Sequence, residues 1–270
     1  MKHLRDTKLF LLDLDGTFYL DDILLPGAAE FLQICRENGI AFSFLTNNSS
    51  KSKEDYLAKL HKLGVAVGTE AIYTSGDAML RYLAENQFGK ELLLIGTESL
   101  KTQFAAAGYT ADAARPSAVV LGFDTTITYA KLVALCDAVR AGVPFLATHP
   151  DFNCPVANGG MIPDIGAVLA FVKASTGCVP KAIVGKPNAY IVKAAAANFG
   201  VAVEDICMVG DRLYTDIALR QSGCAAALVL CGETSAADYA AQTAVKADFV
   251  CENLAALGAL LSRSLLHEEK

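Results

Sequence analysis

The chain has 270 residues, of which 53% are hydrophobic and 19% charged, with a formal net charge of -6, enough for one large domain or two ordinary ones with sizeable cores. This acidic balance excludes a bulk attraction to nucleic acid or to an anionic membrane, so a phosphate-bearing ligand has to be held by local groups. No apolar run has the length of a membrane span, the apolar start is broken at Asp13, and the eight cysteines include no Cys-x-x-Cys pair, which together predict a soluble cytoplasmic protein with reduced thiols.

In chain order, Leu9 to Leu12 reads as a short strand buried on both faces. It runs into Asp13, and Asp15 follows two places later. Side chains two apart on an extended chain point the same way, so this spacing aims two carboxylates at one point beyond a strand end. Such crowding is costly unless a cation offsets it, and Gly16 allows a tight turn there. Residues 18–25 predict a compact loop or small hairpin. A helix starts at Pro26-Gly27, reaches Arg36 and ends at Asn38-Gly39. Ile40 to Leu45 is the second strand and feeds into Thr46-Asn47-Asn48-Ser49-Ser50. Ser52 with Asp55 reads as a capping box for the next helix, which carries Tyr56, Leu57, Leu60 and Leu63 at helical spacing. Ile72 to Thr74 is a third strand. The alternation implies a parallel sheet with right-handed crossovers.

Residues 81–179 repeat this style without the polar clusters. Leu92 to Ile95, Ala118 to Leu121 and Pro144 to Ala147 read as strands, and helices are expected at 98–107, 129–140 and 165–176, the last two capped by Thr128 and Asp164. Thr148 to Asn153 reads either as a surface loop containing Pro150 or as a loop over a site, and Gly159-Gly160 as a turn. The block is large enough to fold alone. The predicted fold is therefore α/β: a doubly wound, Rossmann-like parallel-sheet core made of 1–80 and 180–270, with 81–179 inserted as an α/β domain. In the resumed core, Ala182 to Val184 leads to Gly185-Lys186-Pro187, a helix follows from Asn188 to Phe199, and Ile206 to Val209 leads to Gly210-Asp211. Ala226 to Leu230 and Phe249-Val250 are further strands, Asn253 caps a last helix, and 264–270 are expected to fray.

Ligands of open parallel sheets bind outside the carboxyl ends of the strands. Four polar clusters follow apolar runs: Asp13/Asp15, Thr46-Asn47, Lys186 and Asp211. Their types suit phosphoryl transfer. One carboxylate attacks phosphorus, a second moves protons, oxygen ligands hold Mg2+, and a lysine with neutral donors holds phosphoryl oxygens.

Asp13-Leu14-Asp15-Gly16-Thr17, Thr46-Asn47-Asn48, Gly185-Lys186-Pro187 and Gly210-Asp211-Arg212-x-x-Thr215-Asp216 resemble, in type and order, the four motifs of the haloacid dehalogenase superfamily, in the form of its NagD-type, subfamily IIA branch of 4-nitrophenyl and pyridoxal phosphate phosphatases. The resemblance covers essentially the whole chain, since that family carries a cap domain between its second and third motifs. It implies a Mg2+-dependent phosphatase of small phosphorylated metabolites. Asp13 would be the nucleophile and Asp15 the general acid and base. Thr46, Asn47, Asn48 and Lys186 would hold the phosphoryl group, and Mg2+ would rest on Asp13, the backbone carbonyl of Asp15, and Asp211. Asp216 would orient Asp211 or a metal water, or be an early helix residue. Arg212 would pair with a nearby acid. His149 and Asp151 lie on the segment where a cap loop would contact the leaving group; His149 would meet substrate or face solvent. Relatives include cap-to-cap homodimers. Two other readings share these residues: a phosphotransferase to an acceptor other than water, and a non-catalytic sensor of phosphorylated metabolites.

Overall fold

The computed structural model describes residues 3–156 and 160–266. Parallel sheets flanked by helices make it an α/β, Rossmann-like structure. It divides into two compact units, one of Met1–Thr46, Leu57–Tyr73 and Pro187–Lys270, the other of Asn47–Tyr56 and Thr74–Lys186.

The first unit is built on a six-stranded sheet in the order Phe249–Cys251, Ala225–Val229, Ile206–Gly210, Leu9–Leu12, Ala41–Thr46, Ile72–Thr74. Leu9–Leu12 pairs in parallel with Ile206–Gly210 on one side and with Ala41–Thr46 on the other. All four of its residues are fully buried, which explains an unbroken apolar run where a half-buried strand would alternate. After this strand the chain builds one side of the sheet, and it returns much later to build the other. The strand therefore sits at the reversal of strand order, the place where such sheets bind ligands at their carboxyl ends. Phe10 meets Phe31 edge-on at 5.1 Å and Phe18 meets Phe44 at 4.7 Å, so these aromatics belong to the core. Residues 19–24 form the expected small hairpin, Tyr19–Leu20 against Ile23–Leu24.

The second unit has its own parallel sheet of four strands, ordered Ala182–Ile183, Phe145–Ala147, Ala118–Leu121, Leu92–Ile95. Helices Tyr129–Arg140 and Ile165–Thr176 pack on it around Val119, Leu121, Leu135, Phe145 and Val172. Thr128 and Asp164 cap these helices as their sequence predicts. Ser52 and Asp55 form their box, with Ser52 N–H donating to Asp55 at 2.9 Å and Asp55 N–H to Ser52 at 3.2 Å.

Three details go beyond the local expectations. The segment after Pro150 is partly a ribbon, Asn153–Val156 antiparallel to Gly160–Pro163. Pro155 is tolerated there because a two-stranded ribbon is all edge and asks one face of each strand for no donor. Of the Gly159-Gly160 turn, Gly159 lies outside the described residues. A helix Ser75–Glu85 follows the third strand, where the sequence reading places no element. Its signal is a capping box, Thr74 with Asp77. The last helix runs through Leu266 instead of loosening at 264, with Leu254, Leu257 and Leu261 buried; residues 267–270 lie outside the described residues. Among the described residues, no helix is long and apolar enough to cross a membrane.

Candidate functional site

In the first unit, the carboxyl ends of the two central strands carry the acids. Asp13 directly follows Leu12, and its N–H continues the ladder to the Val209 carbonyl at 2.9 Å. Asp211 directly follows Gly210. Asp13, Asp211 and Asp216 each offer a carboxylate oxygen within 4.8 Å of the others. Asp211 and Asp216 are fully enclosed and Asp13 nearly so.

Three glycines make the space. A Cβ at Gly16 or Gly232 would collide with the Asp211 carboxylate, and one at Gly210 with Asp216. Gly16 also has φ +87°, a conformation other residues adopt at a cost. Asp211 is fixed by two donors, Thr17 Oγ1 to Oδ1 at 3.1 Å and the Glu233 N–H to Oδ2 at 2.7 Å. Even so, burial, and next the negative charge of Asp216, push the Asp211 carboxyl up to about 6; the Glu233 N–H, Arg212 and Thr17 work the other way. This is a site with more negative charge than its surroundings compensate.

Asp216 accepts from the Arg212 N–H at 3.1 Å, closing the loop after Asp211. It stands in the acid cluster ahead of a short 3-10 helix, Ile217–Ser222. Arg212 pairs with Glu233, Nε to Oε2 at 3.0 Å, and Glu233 also accepts from Tyr214 at 3.1 Å. Burial alone would lower the Arg212 pKa, but Asp13, Asp211 and Glu233 raise it and keep the guanidinium charged. The Arg212–Glu233 contact is close in distance yet off-line for a hydrogen bond.

Asp15 lies outside the acid cluster. The chain leaves the strand at Leu12, Leu14 is buried, and the turn at Gly16 folds back so that its N–H reaches the Tyr19 carbonyl at 2.9 Å. The Asp15 side chain is half exposed, and its Oδ1 lies 3.9 Å from Lys59 Nζ. That ammonium also sits 3.6 Å above the Tyr19 ring.

In the second unit, the polar groups surround the backbone of Lys186. Asn47 Oδ1 accepts from the Lys186 N–H at 2.8 Å, and Asn47 Nδ2 donates to the Lys186 carbonyl at 2.9 Å. Nδ2 also lies 3.1 Å from both Asp151 carboxylate oxygens. Asn48 turns its Oδ1 to the N–H and hydroxyl of Ser50, at 2.9 and 2.7 Å. His149 is fully buried. Its Nδ1 meets Thr148 Oγ1 at 3.1 Å and its Nε2 meets Asp164 Oδ1 at 3.0 Å. It faces no solvent, and both ring nitrogens are engaged inside the fold. His149, Asp151 and Asp164 also lie within 4.8 Å of one another.

The sequence motifs thus gather into two sets, one around Asp13 and Asp211 with Thr46 ending a neighbouring strand, the other around Asn47 and Lys186 with Asp151. Thr17, Glu233, Lys59 and Asp164 escape the sequence reading as site neighbours. Thr17 lies inside the first motif, and Asp164 reads from the sequence only as a helix cap. Glu233 and Lys59 carry no local signal, since they arrive through tertiary packing.

A family model described as Haloacid dehalogenase-like hydrolase matches residues 10–110, and one described as HAD-hyrolase-like matches residues 183–257. Among solved structures, the chain is similar to a 4-nitrophenylphosphatase from Thermotoga maritima, with 44% identity, a TM-score of 0.91 and coverage of 95% of this chain and 98% of that one. It is also similar to NagD from E. coli K-12, at 30% identity and a TM-score of 0.85, covering 94% and 98%. Among curated proteins, it is 34% identical over 215 residues to the acid sugar phosphatase of Staphylococcus haemolyticus strain JCSC1435, covering 79% of this chain and 81% of the relative.

Proposed function

We propose that this chain, which belongs to the NagD type of the haloacid dehalogenase-like hydrolases and is a phosphoric monoester hydrolase, splits small phosphomonoesters by passing the phosphoryl group through Asp13. The observation that carries this reading is the buried trio Asp13, Asp211 and Asp216 at the end of the central strands. Buried like charges of this kind call for a cation or a phosphoryl-transfer role.

The donors fit magnesium. They are oxygens only, Asp211 is held by Thr17 and the Glu233 N–H, and burial, then the charge of Asp216, lifts Asp211 to about 6. Asp13, Asp211 and the carbonyl of Asp15 would hold the ion, with Asp216 steadying the loop behind them. When bound, it would neutralise charge on the phosphoryl oxygens and orient the ester for in-line attack.

The chain's own groups do the rest. A carboxylate oxygen of Asp13 attacks phosphorus, and the phosphorus–oxygen bond to the alcohol breaks. Asp15, half exposed and so open to solvent, gives its proton to the leaving oxygen. It then takes a proton from water as that water attacks phosphorus, which frees inorganic phosphate and restores the Asp13 carboxylate. Thr46, Asn48 and the main chain of the Thr46-Asn47-Asn48 turn supply neutral donors to the phosphoryl oxygens and Lys186 an ammonium. Asp151 is the charged group offered for choice of the alcohol portion; buried His149 is tied to Thr148 and Asp164.

The relatives named 4-nitrophenylphosphatase and acid sugar phosphatase set the first compounds to try. Purified protein with Mg2+, given 4-nitrophenyl phosphate and a panel of sugar, glycerol, nucleoside and pyridoxal phosphates, is expected to release inorganic phosphate in step with the alcohol. Alcohol release with a shortfall of phosphate when glycerol is added would identify a phosphotransferase. No release from any compound would contradict the assignment.

A further inference from the structure

We propose that the side chain of Asn47 is a positioning residue that sets the Lys186 ammonium, and that it is not itself a ligand of the phosphoryl group. A carboxamide has two amide protons and one carbonyl oxygen. In Asn47 the oxygen accepts from the Lys186 N–H at 2.8 Å, one proton goes to the Lys186 carbonyl at 2.9 Å, and the other faces the Asp151 carboxylate at 3.1 Å. No proton is left for a phosphoryl oxygen. Both main-chain groups of Lys186 are tied to one side chain.

The surroundings make that tie rigid. Asn47 and Lys186 are 5% and 3% exposed. Ser75 Oγ donates to the Asn47 carbonyl in a short contact. The preceding residue, Gly185, donates its N–H to the Thr148 carbonyl at 2.7 Å. A Cβ on it would lie 2.6 Å from Asn47 Oδ1 and 2.8 Å from His149 Cβ, so only glycine lets the strand end press against the clamp. His149 is itself held between Thr148 and Asp164, and Asp164 accepts from the Ile165 N–H at 2.6 Å, at the start of helix Ile165–Thr176. Buried hydrogen bonds and the main chain at Thr148 and Gly185 thus join that helix end to Lys186. Small displacements of a group that stabilises charge in a transition state are expensive, on the order of a hundredfold per ångström. The sequence explains why an asparagine is needed here: aspartate would set a carboxylate against Asp151, and serine has too few groups.

The inference rests on the reading that Lys186 holds a phosphoryl oxygen, and a double-mutant cycle separates the two. The full-length variants are Asn47→Ala, Lys186→Met and the double variant. The readouts are kcat and KM for 4-nitrophenyl phosphate and inhibition by inorganic phosphate. Lys186→Met is expected to lose about a hundredfold or more in kcat/KM, and Asn47→Ala about tenfold to a hundredfold with weaker phosphate inhibition. The double variant is expected to lie within about threefold of Lys186→Met, because Asn47 has nothing left to position. Losses that multiply in the double variant would overturn the inference and make Asn47 an independent ligand. A Lys186→Met variant near wild-type activity would remove the role of Lys186 and the inference with it. If Asn47→Ala does not fold, the same cycle run with the isosteric Asn47→Asp decides. Adding Asp151→Asn to Asn47→Asp restores a donor across that pair and is expected to recover part of the activity; no recovery would count against Asp151 as a member of the clamp.

Discussion

Replacing Asp13 by asparagine is expected to lower kcat on 4-nitrophenyl phosphate at least about ten-thousandfold while the fold stays intact, as loss of a nucleophile does elsewhere. The amide matches the carboxylate in size, so a nearly buried side chain keeps its packing. The hydrogen bond that anchors the residue, from its N–H to the Val209 carbonyl, belongs to the main chain and is untouched. One negative charge leaves a cluster that holds three within 4.8 Å. Arg212 loses one of its neighbouring charges but keeps Asp211 and Glu233. Thermal unfolding in chelator should therefore be no lower than that of the wild type. An Asp13→Asn protein with more than about one percent of wild-type turnover would place the nucleophile elsewhere.

The second large effect concerns the cation. Chelation is expected to abolish activity and Mg2+ to restore it, and Asp211→Asn to raise the Mg2+ requirement about a hundredfold or more, since Asp211 is a carboxylate held by fixed donors at the centre of the cluster. The proton is the competitor. In the metal-free protein, Asp211 is held up to about 6, above the ordinary carboxyl range, by burial and then by Asp216. A raised acid contributes stability that is full below its unfolded value and lost as pH rises through about 6. Mg2+ has to displace that proton below pH 6 and meets a ready carboxylate above it. Its upward shift of the thermal unfolding temperature should thus be large at pH 7.5, shrink between pH 6 and 5, and vanish in Asp211→Asn. A shift equal at both pH values, or full activity in chelator, would remove the metal from the mechanism.

Much of this was legible because strand ends announce themselves. Leu9–Leu12, buried on both faces, gave an apolar run with an acid directly after it, and the run ending at Gly210 did the same for Asp211. Capping chemistry at Ser52, Thr128 and Asp164 is local and was readable for the same reason. What stayed hidden depends on contacts between distant segments. Glu233 supplies its backbone N–H to Asp211 from 22 positions away, and an N–H has no sequence signature. Strand periodicity aims Asp13 and Asp15 at one point, while the grouping of Asp13 with Asp211 and Asp216, and the half-exposed place of Asp15 beside Lys59, depend on the fold. His149 lies on a loop, as its proline neighbour suggests, but packing against Phe123 at 6.4 Å and bonding to Asp164 bury it there. Asn47 was legible as a polar residue at a strand end, but not as the partner of a backbone 139 positions later.

The most direct test is to stop the wild-type protein with acid during turnover of a phosphomonoester in Mg2+ and to locate any added phosphoryl group by mass spectrometry. One phosphoryl group is expected within residues 9–17, on Asp13, released by mild base as acyl phosphates are, and absent from Asp13→Asn. A phosphoryl group on a serine, threonine or histidine, or none at all while phosphate is being released in a burst, would contradict the nucleophilic role of Asp13.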